Sequence, residues 1–206
     1  MIHQPESPVS PEESPPQPRL CVEEYEGHRA LMADGVILSV AVGETDPPFG
    51  YWAAMLPEGS PRSALLLGLG AGTLAQLLTR RFPDIRIVGV DIDPEIVEFA
   101  RRHFDLALPN LQVVVEDAFA YTARCSERFD YVAVDLFCGH AFQRGALSRP
   151  FLRHLKTIAG PRGEIAVNLF KDRRSTVYVN RLARVLHVHR LERLTRNVIA
   201  HCRAQE

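Results

Sequence analysis

Residues 65–72 read LLLGLGAG, and residues 90–94 read VDIDP. The first stretch is an apolar run that breaks into Gly68-x-Gly70-x-Gly72. A helical stretch follows, and a second apolar run over residues 85–90 ends on Asp91. This order is a strand–helix–strand unit with an acid at the tip of its second strand. Glycines let a backbone turn approach a ligand closely, and an acid about 20 residues further on is placed to hold a ribose diol.

The alternation continues away from that unit. Strands are predicted at 64–69, 85–91, 111–116, 131–135 and 164–170, with helices at 72–82, 94–104, 147–158 and 176–188 and a short one after 116. Two further extended pieces, 189–195 and 198–203, close an antiparallel edge. Mostly apolar strands separated by helices imply a parallel sheet covered on both faces. The fold class is therefore α/β, a Rossmann-like doubly wound, mostly parallel seven-stranded sheet with helices on both faces. A small N-terminal β-hairpin region precedes it, because 20–25, 29–32 and 36–42 are β-rich and are punctuated by Glu26-Gly27 and Asp34-Gly35. Asp-Gly between apolar runs is a strong hairpin signal. Residues 51–56 read as a short helix and 136–146 as a loop.

Three segments follow from this reading: a disordered Pro-rich tail at 1–18, a small β region with a short helix at 19–60, and the Rossmann-like domain at 61–206. The tail carries six prolines among Ser, Glu and Gln, too little apolar surface to offset its ordering entropy. The whole chain of 206 residues is 46% hydrophobic with a net charge of −1, enough for a core and with no overall excess of positive charge. The late arginines (Arg173, Arg174, Arg181, Arg184, Arg190, Arg193 and Arg196) read as the solvated face of a helix and its neighbours. No nucleic-acid partner is expected. Four scattered cysteines show neither CxxC nor Cys/His ligand spacing, so neither a disulfide framework nor a metal site is expected. No apolar run approaches about 18 residues, and the N-terminus lacks a signal-peptide pattern, so the expectation is a cytoplasmic protein with no membrane contact.

Acids stand at the ends of several strands: Asp91 at the second, Glu116-Asp117 at the third and Asp135 at the fourth. In an open parallel sheet, ligands bind beyond the carboxyl ends of the strands. Acids suit a sulfonium cation and amine-bearing groups, and they suit phosphates badly. Thr73 also occupies the place of a dinucleotide fingerprint's third glycine. The pattern thus points to a sulfonium nucleoside. Asp117 and Asp93 also suit helix N-caps.

At these residues the chain resembles the class I S-adenosylmethionine-dependent methyltransferase fold, and within it the spermidine synthase-like (polyamine aminopropyltransferase-like) group. The likeness runs through RALMADGVILS at 29–39, YWAAML at 51–56, LLLGLGAGTLAQLL at 65–78, VGVDIDPEIVEFARRHF at 88–104, VVVEDAFAY at 113–121 and FDYVAVDLF at 129–137. The resemblance implies that Gly68, Gly70 and Gly72 lie under the methionine-derived part of the nucleoside. It implies that Asp91 holds the ribose, that Ile92 is a further cofactor contact and that Asp117 with Ala118 contacts adenine. Asp135 would face the sulfonium and the acceptor.

The chain departs from the aminopropyltransferase pattern at several acids. The fourth strand's Asp135 is followed by Leu136-Phe137-Cys138-Gly139-His140, with no second acid. The glycine loop carries Ala71 where the group has an amine-recognising Asp, Leu38 replaces a Gln, and Ala53-Ala54 stand where a Glu is expected. A polyamine is costly to desolvate without paired acids. The expected function is therefore methyl transfer from S-adenosylmethionine to a small-molecule or protein acceptor. Aminopropyl transfer from decarboxylated S-adenosylmethionine is the alternative, and a non-catalytic nucleoside-binding scaffold the second. Asp135 and His140 are the candidate proton acceptors. Tyr51, Trp52, Phe137 and Asn168 are the candidate acceptor contacts. A homodimer is a further expectation, from the family likeness and the hairpin.

Overall fold

The computed structural model describes residues 20–43, 50–138 and 141–204. The Pro-rich tail at 1–18 and His140 lie outside the described residues. The chain opens with three antiparallel strands, β1 (Leu20–Tyr25), β2 (His28–Ala33) and β3 (Val36–Val40). Asp34 and Gly35 join the last two with φ of 48° and 77°, the left-handed pair that a tight hairpin turn demands.

After a single helical turn at Ala53–Met55, the main domain alternates strand and helix. It runs β4 (Ser63–Leu67), α1 (Thr73–Arg81), β5 (Arg86–Asp91), α2 (Pro94–His103), β6 (Leu111–Val115), α3 (Ala118–Arg124) and β7 (Tyr131–Val134). A two-stranded ribbon, β8 (Phe137–Cys138) and β9 (Ala141–Phe142), follows β7. Then come a turn at Arg144–Leu147, α4 (Arg149–Ala159), β10 (Glu164–Phe170), α5 (Ser175–Ala183), β11 (Leu186–Arg193) and β12 (Asn197–Ala204).

The large sheet has seven strands in the order β11-β12-β10-β7-β4-β5-β6. The pairings of β10 with β7, β7 with β4, β4 with β5 and β5 with β6 are parallel, and β12 runs antiparallel to both its neighbours. From β4 the chain winds out to β6, then returns to place β7 on the other side of β4. That reversal makes the carboxyl ends of β4 and β7 the switch point where ligands bind in this architecture.

Two apolar cores sandwich the sheet. One holds Phe151, Leu152 and Leu155 of α4 and Leu182 of α5 against alternate strand residues such as Leu65, Val132 and Val167. The other holds Leu74 and Leu78 of α1, Phe104 and the hairpin residues Leu31 and Val40 against Leu66, Ile87 and Ala133. Each such buried aliphatic or aromatic side chain contributes about 1.5–3 kcal/mol. The N-terminal sheet therefore packs on the same core face as α1. Helix α2 starts at a double signal: Pro94 occupies its first turn, and the Asp93 carboxylate accepts from the N–H groups of Glu95 and Ile96.

The expectation for the last helix needs correction. It ends at Ala183, not 188, and β11 begins at Leu186, whose buried side chain and pairing with Ala204 commit residues 186–188 to the sheet edge. The expected helix at 51–56 is a single 3-10 turn, because Leu56 is extended ahead of Pro57. The expected loop at 136–146 contains the β8–β9 ribbon. Among the described residues, no helix is long and apolar enough to cross a membrane.

Candidate functional site

The glycine loop leaves β4 at Leu67 and enters α1 at Thr73. Gly68 has φ of 89°, and a Cβ built on it would lie 2.1 Å from the carbonyl oxygen of Asp135. The β4 and β7 tips therefore pack backbone to backbone, which only glycine permits. The Asp135 N–H donates to the Leu67 carbonyl at 2.8 Å, locking the two strand ends together.

Asp91 ends β5 and turns back onto this loop. Its Oδ2 accepts from the Gly70 N–H at 2.8 Å, and its Oδ1 accepts from the Asp93 N–H at 3.1 Å. Burial raises its pKa above the ordinary carboxylate value, partly offset by the N–H donors of Gly70, Asp93 and Leu69. Each oxygen keeps a lone pair for a further donor, as a ribose diol would supply. Ile92 follows with 67% of its surface exposed, an apolar face standing beside the acid. Asp117 caps α3, its Oδ1 accepting from the N–H groups of Phe119 and Ala120 at 2.9 Å each, while Ala118 is buried behind it. The cap leaves Oδ2 without a bond to the described residues. These features suit a nucleoside: a glycine cradle, a carboxylate with spare acceptor capacity, an exposed apolar face and a second carboxylate with one unused oxygen.

The hairpin region supplies a support that the sequence did not announce. Ser39 Oγ accepts from the Ala71 N–H at 2.8 Å. The Thr73 hydroxyl donates to the Val40 carbonyl at 2.7 Å and accepts from the Val40 N–H at 2.9 Å. Thr73 thus clamps β3 to the start of α1, a physical use for the residue that replaces the third glycine. Ala71 is buried among the apolar residues of this face, where a carboxylate would lack a charge partner.

Asp135 forms the other half of the site. Its Oδ2 accepts from the Tyr51 hydroxyl at 2.7 Å, and its Oδ1 accepts from Asn168 Nδ2 at 2.8 Å. Asn168 Oδ1 in turn accepts from Asn197 Nδ2 at 2.9 Å. Burial pushes the Asp135 pKa up to about 6, against the pull of the two hydrogen bonds and with a smaller push from Asp91. A carboxyl poised there is ionised at neutral pH yet basic enough to receive a proton.

The segment carrying Tyr51 is held from below. The Tyr131 hydroxyl donates to the Met55 carbonyl, and His201 Nε2 lies 2.8 Å from the Ala54 carbonyl while its Nδ1 faces Glu164 at 2.7 Å. Burial pushes Glu164 upward, but the bonds from His201 and the Glu58 N–H outweigh it and leave its pKa low. Trp52 is buried in the core at 5% exposure, its ring 4.7 Å from that of Tyr51, so it packs behind Tyr51. Phe137 is partly buried on β8, with its ring against Phe142 across the ribbon.

The structure thus brings Gly68, Gly70, Asp91, Asp135, Tyr51 and Asn168 to one end of the sheet. Ser39, Thr73 and Asn197 join them, all linked through contacts between residues distant in sequence. Among the described residues no cluster of His, Cys, Asp and Glu is arranged to hold a metal ion.

Comparison with known proteins agrees with this architecture. Residues 64–163 match the methyltransferase domain family. The eEF1A lysine and N-terminal methyltransferase homolog of Drosophila pseudoobscura pseudoobscura is 34% identical over 118 residues, covering 52% of this chain. The chain spans only 18% of that relative's length. A probable spermidine synthase from Corynebacterium glutamicum superposes with a TM-score of 0.78 at 21% identity, covering 91% of this chain and 77% of the other. Human methyltransferase-like protein 13, solved in complex with SAH, gives a TM-score of 0.60 at 25% identity over 70% and 72% of the two chains.

Proposed function

Because the chain has the class I S-adenosylmethionine-dependent methyltransferase fold in its spermidine synthase-like form, we propose that it transfers a methyl group from S-adenosylmethionine to an amine of a small-molecule or protein acceptor. The observation that carries this reading is the setting of Asp135. Both its oxygens are engaged by neutral donors, Tyr51 and Asn168, and Asp91, the nearby acid that pushes on it, is turned to the N–H groups of Gly70 and Asp93. One carboxylate suits a singly charged amine. A polyamine carries several charges and would leave the rest unpaired in a partly desolvated space.

When bound, S-adenosylmethionine supplies a sulfonium methyl carbon as the electrophile. Gly68, Gly70 and Gly72 would lie beneath its amino-acid portion, Asp91 would hold its ribose, and Ile92, Asp117 and Ala118 would face its adenine. Asp135 accepts the proton of the acceptor amine on a carboxylate oxygen, and Tyr51 and Asn168 fix the orientation of that carboxylate. Ala71 brings no charge to the loop, which favours the intact donor with its carboxylate over the decarboxylated one. The eEF1A lysine and N-terminal methyltransferase relative supports an amine on a protein as the acceptor class.

Aminopropyl transfer is the second reading, supported by the likeness to spermidine synthases. Product analysis separates the two. The protein is incubated with equal S-adenosylmethionine and decarboxylated S-adenosylmethionine, together with putrescine, spermidine and lysine-containing peptides. Mass spectra showing methylated amines support the proposal. Aminopropylated polyamines as the main product would overturn it.

A further inference from the structure

Charge is distributed very unevenly along this chain. Residues 1–143 hold ten Lys and Arg against twenty-one Asp and Glu, while residues 144–206 hold fourteen against four. A net charge near zero therefore conceals an acidic part and a basic part.

The arginines of the two parts also behave differently. In the acidic part, Arg29 pairs with Asp105, Arg86 with Glu127, Arg101 and Arg102 with Glu98, and Arg124 with Glu116. In the basic part only Arg190 and Arg203 form such pairs among the described residues. Six exposed cations without an ion pair gather where the sheet's carboxyl edge meets α5: Arg144, Lys171, Arg173, Arg174, Arg193 and Arg196.

The fold fixes their place relative to the site. Lys171 directly follows β10, and its N–H donates to the Arg196 carbonyl at 2.8 Å. Arg196 adjoins Asn197, which is linked through Asn168 to Asp135. Arg144 begins the turn that packs against α5, next to the Phe142–Tyr178 ring contact. Asp172, which lies among these cations, spends its carboxylate on the Arg174 N–H and the Tyr178 hydroxyl.

We infer that this rim recognises a short acidic peptide segment, which delivers the acceptor amine to Asp135. The inference rests on the proposed transfer to an amine at that residue. Unpaired guanidinium groups offer forked donors to carboxylates at little desolvation cost. A field of one sign around a cleft raises the local concentration of the opposite charge and repels its own. A polyamine is thus disfavoured along this rim. A long nucleic acid fits less well than a short peptide because, among the described residues, none of the exposed large apolar side chains at the rim is an aromatic on which bases could stack.

Fluorescence anisotropy on the full chain tests this, with S-adenosylhomocysteine present. The probe is a labelled glutamate-rich peptide carrying one lysine. Competitors are spermidine, an uncharged peptide of equal length and a single-stranded oligonucleotide. The expected result is binding that weakens with salt and falls by roughly tenfold or more in Arg173→Glu/Arg174→Glu/Arg196→Glu, with the melting temperature retained. Unchanged affinity in the triple variant would overturn the inference. So would equal competition by spermidine or the uncharged peptide, and so would tighter binding of the oligonucleotide, which would assign the rim to nucleic acid. Calorimetry with S-adenosylmethionine on the same samples keeps the two ideas apart. Peptide binding without cofactor binding would remove the methyl-transfer reading alone, and the reverse would remove the rim alone.

Discussion

Tyr51 donates its phenolic proton to Asp135 across 2.7 Å, joining residues 84 positions apart. This bond stabilises the charged form of a carboxylate that burial would otherwise push still higher. Replacing Tyr51 with Phe removes the donor, so the Asp135 midpoint is expected to rise above about 6. The pH–rate profile reports it directly. Activity should climb through the Asp135 ionisation, and in Tyr51→Phe the rise should move to higher pH. A profile unmoved by the substitution would detach Tyr51 from the proton-accepting group.

The same raised pKa makes a stability prediction. In the unfolded chain Asp135 titrates near 3.8 and in the folded chain near 6, so its favourable contribution is full below the first value. It is lost as pH rises through the second. Asp135→Asn removes this dependence. The variant should match the parent at pH 4 and exceed it at pH 8 by on the order of 1–3 kcal/mol, with transfer activity lost. Denaturant melts at both pH values check this. A variant less stable than the parent at pH 8 would contradict it.

Asp91→Asn keeps an oxygen for the Gly70 N–H but loses the charge offered to the ribose diol. S-adenosylmethionine affinity should fall by about 1–3 kcal/mol. Calorimetric titration measures it, and unchanged affinity would remove Asp91 from the site.

Gly68→Ala places a methyl against the Asp135 backbone at a left-handed φ. Strain and clash together should cost about 2–4 kcal/mol, visible as a lowered melting temperature, and the strand tips must separate. An alanine variant of parental stability would show that the β4–β7 junction is looser than its geometry indicates.

Tyr131→Phe leaves the buried Met55 carbonyl without its hydroxyl partner, at a cost of about 1–3 kcal/mol. Cofactor affinity should stay within a small factor, because the glycine loop and Asp91 belong to other elements. A large loss of affinity with little loss of stability would reverse the assignment of Tyr131 to the support of the Tyr51 segment.

Much of this arrangement was legible from residues 65–94, because local rules act there. An apolar run, three spaced glycines, a helix and a second run ending on an acid leave few alternatives, and the strand-end acids follow from the same alternation. Asp117 and Asp93 are the helix caps their positions suggested. The unread part is non-local. Nothing near Ser39 or Thr73 in sequence reveals that Ser39 of β3 bonds the glycine loop at Ala71 or that Thr73 of α1 bonds Val40 of β3. Nothing near Asn197 reveals that it reaches Asp135 through Asn168, because strand order, not spacing, brings β12 beside β10. Trp52 shows the same limit, since its neighbour Tyr51 points to Asp135 while Trp52 turns into the core. The end of α5 was misplaced because no Gly or Pro follows Ala183 to mark it.

The space between Asp91 and Asp135 is proposed to bind intact S-adenosylmethionine. Calorimetric titration of the same sample with S-adenosylmethionine, decarboxylated S-adenosylmethionine and methylthioadenosine tests it most directly. Saturable binding of S-adenosylmethionine is expected, at least about tenfold tighter than that of its decarboxylated form, a difference of about 1.4 kcal/mol. Tighter binding of the decarboxylated form, or no binding of any of the three, would contradict it.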